Sequence, residues 1–204
     1  MTVMRQKITR LLGLLVLFAS PLVAIEINYT SPAFEIGKTS TGALLTNGFT
    51  FALGSFGNFT PTADNLNLWN GNFTALGTTN WDETFTQFSG TVTLSSNAAP
   101  FATTTQAYIW GYNFDVVGSA SQWVLLTNPN WTFPQSSDLF PVSWGTSDIG
   151  TSAIFGALAP SAGVGANPYL QTLAAVPEPG TYAVLAGLAA LGFAVWRRRA
   201  VRTS

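Results

Sequence analysis

Carboxylates are the strongest acid–base groups that this sequence offers, because it contains neither histidine nor cysteine. That composition excludes imidazole catalysis, Ser-His-Asp triads, thiol nucleophiles, disulfides and thiolate zinc sites. A glycosidase needs two carboxyl groups roughly 5–10 Å apart across a sugar. Asp82 and Glu83 are adjacent, but consecutive side chains of a strand point to opposite faces. We therefore predict no catalytic residues, and a carboxylate-dependent glycosidase is only the third interpretation of the chain.

Tryptophan side chains could form a platform on which sugars stack. The chain has seven tryptophans, and exposed aromatic rings near amide side chains are typical of carbohydrate-binding modules. Trp131 stands in the turn-rich stretch TNPNWTFP, which predicts an exposed ring, and Trp81 directly precedes an acidic pair. These two residues are the candidates for glycan contact, although aromatic rings in small domains are more often core residues.

Other ligand chemistries find little support in the residue pattern. The run Asp64–Gly71 offers oxygen ligands, but leucines stand where an EF-hand needs Asp or Asn, and Ala75 stands at its twelfth position. A calcium site built from loop carbonyl groups and one aspartate stays an open alternative. Residues 25–176 hold one base, Lys38, and eight acids, so they would repel phosphate groups. We expect no metal ligands, no cofactor and no nucleic acid.

The two ends of the chain have the features of export signals. Residues 1–24 combine a short basic start, an apolar run and a small residue at the expected cleavage point, which is typical of a secretory signal peptide. Residues 181–196 carry no charge and predict a short transmembrane helix, followed directly by Arg197, Arg198 and Arg199. Arginine clusters stay on the cytoplasmic side, so this topology places the middle of the chain outside the cytoplasm.

A short signature precedes the apolar segment: Pro177, Glu178 and Pro179. The tripeptide, the apolar run and the arginine cluster, in this order at the C-terminus, resemble the PEP-CTERM sorting signal, a segment also named after the C-terminus of ice-binding proteins. The resemblance covers about residues 176–200. It implies that the tripeptide is recognised by an exosortase, a membrane protease-transferase that cuts near it, after Sec-type export. Hosts of this system are typically Gram-negative bacteria that make exopolysaccharide.

Alternating apolar residues and turn signals predict a β-rich middle region. Strands are expected at 25–30, 49–56, 90–95, 107–114, 123–127, 139–144 and 152–158. Leu66, Trp69 and Phe73 recur at helical spacing, which predicts one short helix at about 61–70, with Pro61 near its start. The fold class that follows is mainly β: a single antiparallel β-sandwich of jelly-roll type with one short helix laid on a sheet.

The expected order of segments is a signal peptide at 1–24, the sandwich domain at 25–158, a linker at 159–176 and the sorting segment at 177–200. Pairing of Tyr169 and Leu170 at the edge of the domain stays an open alternative within the linker. We interpret the chain as an exported protein without enzymatic activity, a component of the cell surface or the extracellular matrix. It would exist first as a membrane-anchored precursor and then as a processed protein. The second interpretation is a glycan-binding module that associates with exopolysaccharide.

Overall fold

The computed structural model describes residues 24–159, 169–176 and 186–193. Within these ranges the chain is mainly β. The described strands are β1 (Ile25–Thr30), β2 (Gly37–Lys38), β3 (Thr50–Ser55), β4 (Thr74–Asp82), β5 (Gln87–Leu94), β6 (Gln106–Tyr112), β7 (Gln122–Thr132), β8 (Val142–Gly145), β9 (Ser152–Phe155), β10 (Ala157–Leu158), β11 (Leu170–Gln171) and β12 (Leu173–Ala174). A 3-10 helix at Ala63–Leu68 and one α-helical turn at Trp69–Asn72 form a helical segment between β3 and β4.

Nine of the described strands form one large curled sheet. Its order is β12-β7-β6-β3-β4-β5-β1-β8, and β9 also pairs with β7. Most neighbours are antiparallel, but β1 and β8 run parallel. The other three described strands form a small sheet in the order β10-β11-β2, in which β11 and β2 are parallel. The sheet is therefore curled and mixed, and the expected antiparallel sandwich is not confirmed.

The curled sheet separates two hydrophobic cores. Successive residues of a strand point to opposite faces, so Phe51, Ile109 and Leu126 pack into one core while Trp110 and Trp123 pack into the other. Phe51 belongs to β3, which pairs with β4 on one side and with β6 on the other. Both faces of this part of the sheet are consequently covered and exclude water.

Trp69 of the helical segment covers the second core. Its ring stacks on Trp123, with the centroids 5.5 Å apart, and meets Trp110 edge-on at 6.0 Å. The Asn65 Oδ1 accepts hydrogen bonds from the backbone N–H of Thr62 at 2.9 Å and from the indole Nε1 of Trp69 at 2.8 Å. One amide side chain therefore both starts the helical segment and orients the ring that this segment buries.

The helical segment lies slightly later in the chain than the predicted range 61–70. Phe73 is already extended, with φ −87° and ψ 129°. β4 follows at Thr74, so the helical spacing that Phe73 continued ends in a strand that the sequence did not predict.

Of the seven predicted strands only 25–30 has the observed bounds, and the differences at two of the others have a visible cause in the structure. The strand expected at 139–144 begins only at Val142, and the side chains of Leu139 and Phe140 are 81% and 82% exposed. The strand expected at 152–158 is divided at Gly156, whose φ of +88° is a conformation that glycine adopts without strain. The prediction therefore located β-structure but missed the backbone features that end it.

Residues 169–176 lie in the stretch that we expected to be a linker, but they pair within the folded region. β11 pairs with β2 and β10, and β12 pairs with β7. The side chains of Thr172 and Ala175 are fully buried. The chain is therefore held by the sheet edge as far as Ala175.

Both export signals lie largely outside the described residues. These exclude residues 1–23 of the expected signal peptide, and also Pro177, Glu178, Pro179, Arg197, Arg198 and Arg199. Residues 186–193 of the expected span are helical. Among the residues that the structure describes, no helix has the length and apolar character needed to cross a membrane, so the transmembrane helix is not confirmed.

Candidate functional site

The two tryptophans expected to contact glycans are buried: Trp131 is 1% exposed and Trp81 is 2% exposed. Trp131 stacks on Trp144 with ring centroids 6.3 Å apart, and its Nε1 donates a hydrogen bond to the Asp148 Oδ2 at 3.2 Å. The prediction that Trp131 is exposed is wrong, because a carboxylate from a later loop satisfies its N–H inside the fold. Neither ring presents a face on which a sugar could stack.

The acidic pair at the end of β4 holds turns together. The Asp82 Oδ1 accepts hydrogen bonds from the backbone N–H groups of Thr84 at 2.7 Å and Phe85 at 3.1 Å. The Glu83 Oε1 accepts one from the backbone N–H of Asn47 at 2.7 Å. These carboxylates therefore fix the β4–β5 hairpin and the loop beside it.

An apolar groove of about 660 Å³ adjoins this hairpin, and Phe34, Leu44 and Trp81 are among the residues that line it. Phe34 is 75% exposed and packs edge-on against Phe85 at 6.1 Å. Phe34 and Thr86 have φ values of 63° and 44°, in the left-handed region that costs non-glycine residues energy. The groove has the size and polarity to accept an apolar group.

A second groove, of about 670 Å³, opens between the helical segment and the loop after β6; we call it the exit groove. Its polar lining residues are exposed: Asp64, Asn67, Asn70 and Asp115. Its apolar lining includes Val116 and Val176, and the buried ring of Trp123 lies at its base. None of the described residues that line it is basic, so the two carboxylates give this face a negative charge.

Electrostatic effects of this charge reach the neighbouring core. Burial, and then the nearby carboxylate of Asp115, raise the pKa of Tyr112 above its ordinary value. A phenol whose pKa is raised in this way stays protonated at neutral pH. Tyr112 therefore adds no charge to that of the two carboxylates, Asp64 and Asp115.

The chain leaves the sheet edge at the wall of the exit groove. The backbone N–H of Ala175 donates to the carbonyl oxygen of Ser121 at 2.8 Å, and the Ala175 carbonyl accepts from the N–H of Gly118 at 3.1 Å. Val176 comes next, is 44% exposed and lines the groove. The groove therefore lies directly beside the point where the C-terminal segment begins.

Sequence reasoning did not find the exit groove. It treated Asp64–Gly71 as part of a short helix and as a calcium loop that fails the pattern, and it assigned no binding role to Asp115 or Val176. These residues come from three separate segments of the chain, so only the fold brings them together. The one feature of the sequence that pointed to the groove was the group of polar residues near Trp69: Asp64, Asn67 and Asn70.

Comparison with known families identifies the C-terminal segment. Residues 175–199 match the PEP-CTERM protein-sorting motif. Neither a curated protein nor a solved structure matches the chain. The match begins at Ala175, which is still hydrogen-bonded to the sheet edge, so the signal starts where the β domain ends. The chain therefore carries a PEP-CTERM sorting signal, by which an exosortase sorts it to an exported location.

Proposed function

We propose that the protein is a non-enzymatic component of the cell surface or the extracellular matrix, which an exosortase cuts from a membrane-anchored precursor near Pro177–Pro179. The observation that carries this proposal is the position of the sorting motif, which starts at the last paired stretch of the sheet edge. A cut beyond Val176 would release the β domain with its cores intact. A sorting signal inside the folded domain could not be removed in this way, because the cut would divide the domain itself.

The roles of the acidic side chains support a non-enzymatic function. Four of them accept backbone N–H hydrogen bonds that hold turns or loops: Asp82, Glu83, Asp138 and Asp148. Burial raises the pKa of four phenols further above the ordinary value of 10.0, so they are even weaker acids than a free tyrosine: Tyr29, Tyr108, Tyr112 and Tyr169. Groups of these kinds stabilise a fold, whereas catalysis needs an acid or base that is free to exchange protons with a substrate.

The partners that we propose follow the order of export. Sec-type machinery would recognise residues 1–24, and the exosortase would then recognise Pro177–Pro179 while residues 181–196 lie in the membrane. The released domain would meet the exopolysaccharide of a Gram-negative host. Its acidic surface, with a single lysine among residues 25–176, suits a soluble, hydrated environment.

Cell fractionation of a host that has the exosortase tests the sorting part of the proposal. Wild-type protein is compared with the triple variant Pro177→Ala, Glu178→Ala, Pro179→Ala. A matched control carries Ser161→Ala and Asn167→Ala outside the motif. We expect wild type and control in the exported fraction as a shortened chain, and the triple variant in the membrane at full length. Export and shortening of the triple variant at the wild-type level would contradict the proposal.

Incubation of the exported protein with host exopolysaccharide tests the non-enzymatic part. We expect no increase in reducing ends over a blank without protein. An increase that disappears in Asp82→Asn or Glu83→Gln would show that the acidic pair cleaves glycosidic bonds and would overturn this part, while leaving the sorting result unaffected.

A further inference from the structure

We propose that the exit groove is a second contact surface for the exosortase, in addition to the sorting motif; this inference rests on the proposed function. The matched motif begins at Ala175, and Val176 forms part of the groove wall. An enzyme that holds the motif from its first residues must therefore come into contact with this face of the β domain. Val176 is thus common to the groove wall and to the matched motif.

Only Val176 separates Ala175, the last residue that the sheet edge holds, from Pro177 of the tripeptide. Ala175 is fully buried and makes two backbone hydrogen bonds, and the Thr172 Oγ1 donates to the Gln122 Oε1 at 3.0 Å. Because a residue spans at most about 3.6 Å, Pro179 stays within roughly 11 Å of Val176. A protein bound to the tripeptide consequently reaches the rim of the groove.

The chemistry of the groove suits a protein surface that carries cationic and apolar side chains. Asp64 and Asp115 are exposed, and in the described part of the chain the groove holds no base that could neutralise them. Exposed apolar groups line the groove together with these carboxylates: Val116 at 61% and Val176 at 44%. Apolar contact with complementary charge at the rim is the usual composition of a specific protein interface.

The base of the groove favours a protein over a sugar as the occupant. The ring of Trp123 is fully buried and stacks on Trp69, so it does not present a free face for a pyranose ring. The exposed amides of Asn67 and Asn70 can hydrogen-bond to a polypeptide backbone. The occupant that we infer is therefore a basic and apolar part of the exosortase.

Processing rates of groove variants test this inference in cells that produce the exosortase. The double variant Asp64→Lys, Asp115→Lys reverses the charge of the groove, and Asp64→Asn, Asp115→Asn removes it with little change in volume. The matched control, Glu26→Lys with Glu35→Lys, makes the same charge change at residues that do not line the groove. Pulse-chase labelling follows conversion to the shortened chain, and thermal unfolding of each full-length precursor in detergent reports its folding.

We expect charge reversal to slow conversion by roughly tenfold or more and neutralisation to slow it by less, at an unchanged unfolding midpoint. The control should convert at the wild-type rate. Groove variants that convert at the wild-type rate, or a control that is slowed as much as charge reversal, would overturn the inference. If one groove variant fails to fold, the other decides. Wild-type protein that is not shortened at all would instead contradict the proposed function, so the two failures are distinguishable.

Discussion

The backbone N–H of Ala175 donates a hydrogen bond to the carbonyl oxygen of Ser121 at 2.8 Å. Ala175 is fully buried in the second core, and it is also the first residue of the matched sorting motif. The fold and the sorting signal therefore share this residue. A cut on its N-terminal side would remove a core residue from the exported protein.

Ala175→Glu should destabilise the β domain by roughly 2–4 kcal/mol, because it places a carboxylate without a partner in a fully buried site. Urea unfolding of the full-length precursor in detergent measures the change. Leu173→Glu is the control on the neighbouring strand β12, where the side chain is 42% exposed, and it should cost less than about 1 kcal/mol. Equal losses for the two variants would show that Ala175 is not held in the core.

Asp148→Ala should cost about 1–3 kcal/mol, because it leaves the indole N–H of buried Trp131 without an acceptor. The same carboxylate accepts the N–H of Gly145 at 2.8 Å. Asp138→Ala, which removes one exposed turn hydrogen bond to Gln135, should cost less. Thermal unfolding, monitored by tryptophan fluorescence, gives the midpoint of each variant. An Asp148→Ala midpoint at or above that of Asp138→Ala would refute the role of Asp148 as the acceptor for Trp131.

The stability of the protein should fall in alkali. Burial, and then the proximity of Tyr112, raise the pKa of Tyr29 from its ordinary 10.0 to about 12. The folded state thus favours the protonated phenol of Tyr29. The stability that this preference provides is fully present below pH 10 and is lost as the pH rises from 10 to about 12.

Tyr29→Phe isolates this contribution. At neutral pH it should change the free energy of unfolding by less than about 1.5 kcal/mol, because the hydroxyl makes one long hydrogen bond of 3.3 Å to the Phe51 carbonyl. Between pH 10 and 12 the variant should lose stability less steeply than wild type. Denaturant titrations across that range measure both curves, and identical slopes would contradict the assignment to Tyr29.

The ring of Tyr29 packs over Gly90 and leaves no room for a side chain there, because a Cβ at Gly90 would overlap the Tyr29 Cζ. Gly90→Ala should therefore cost about 1–3 kcal/mol through overpacking. Gly71→Ala is the control, since a Cβ there meets nothing within 4 Å and should stabilise the helical turn by about 0.5–1 kcal/mol. Chemical denaturation ranks the two variants, and the opposite order would refute the packing argument.

Local sequence patterns predicted the elements whose periodicity is set by one buried face. β1 alternates buried side chains with exposed or half-buried ones from Ile25 to Thr30, and its predicted bounds agree with the structure. β4 was missed because most of its side chains are exposed or half-buried, so it shows no clear alternation. The helical spacing of Leu66 and Trp69 was real, but it continued by coincidence through Phe73 into that strand.

Long-range partners explain the rest of what the sequence could not predict. Trp131 has turn-forming neighbours, yet the side chain of Asp148 supplies a buried partner for its indole. Asp64 and Asp115 meet at one groove only because the helical segment packs over β6 and β7. The motif at the C-terminus, by contrast, was readable because contiguous residues define it, and the match at residues 175–199 confirms it.

Intact-mass spectrometry of the exported protein tests most directly whether an exosortase releases the complete β domain at the sorting motif. The predicted product begins near Ile25, retains Ala175 and lacks Trp196 and the arginines that follow it. A product that still contains Trp196 and Arg199, or one that has lost Ala175, would contradict this mode of release.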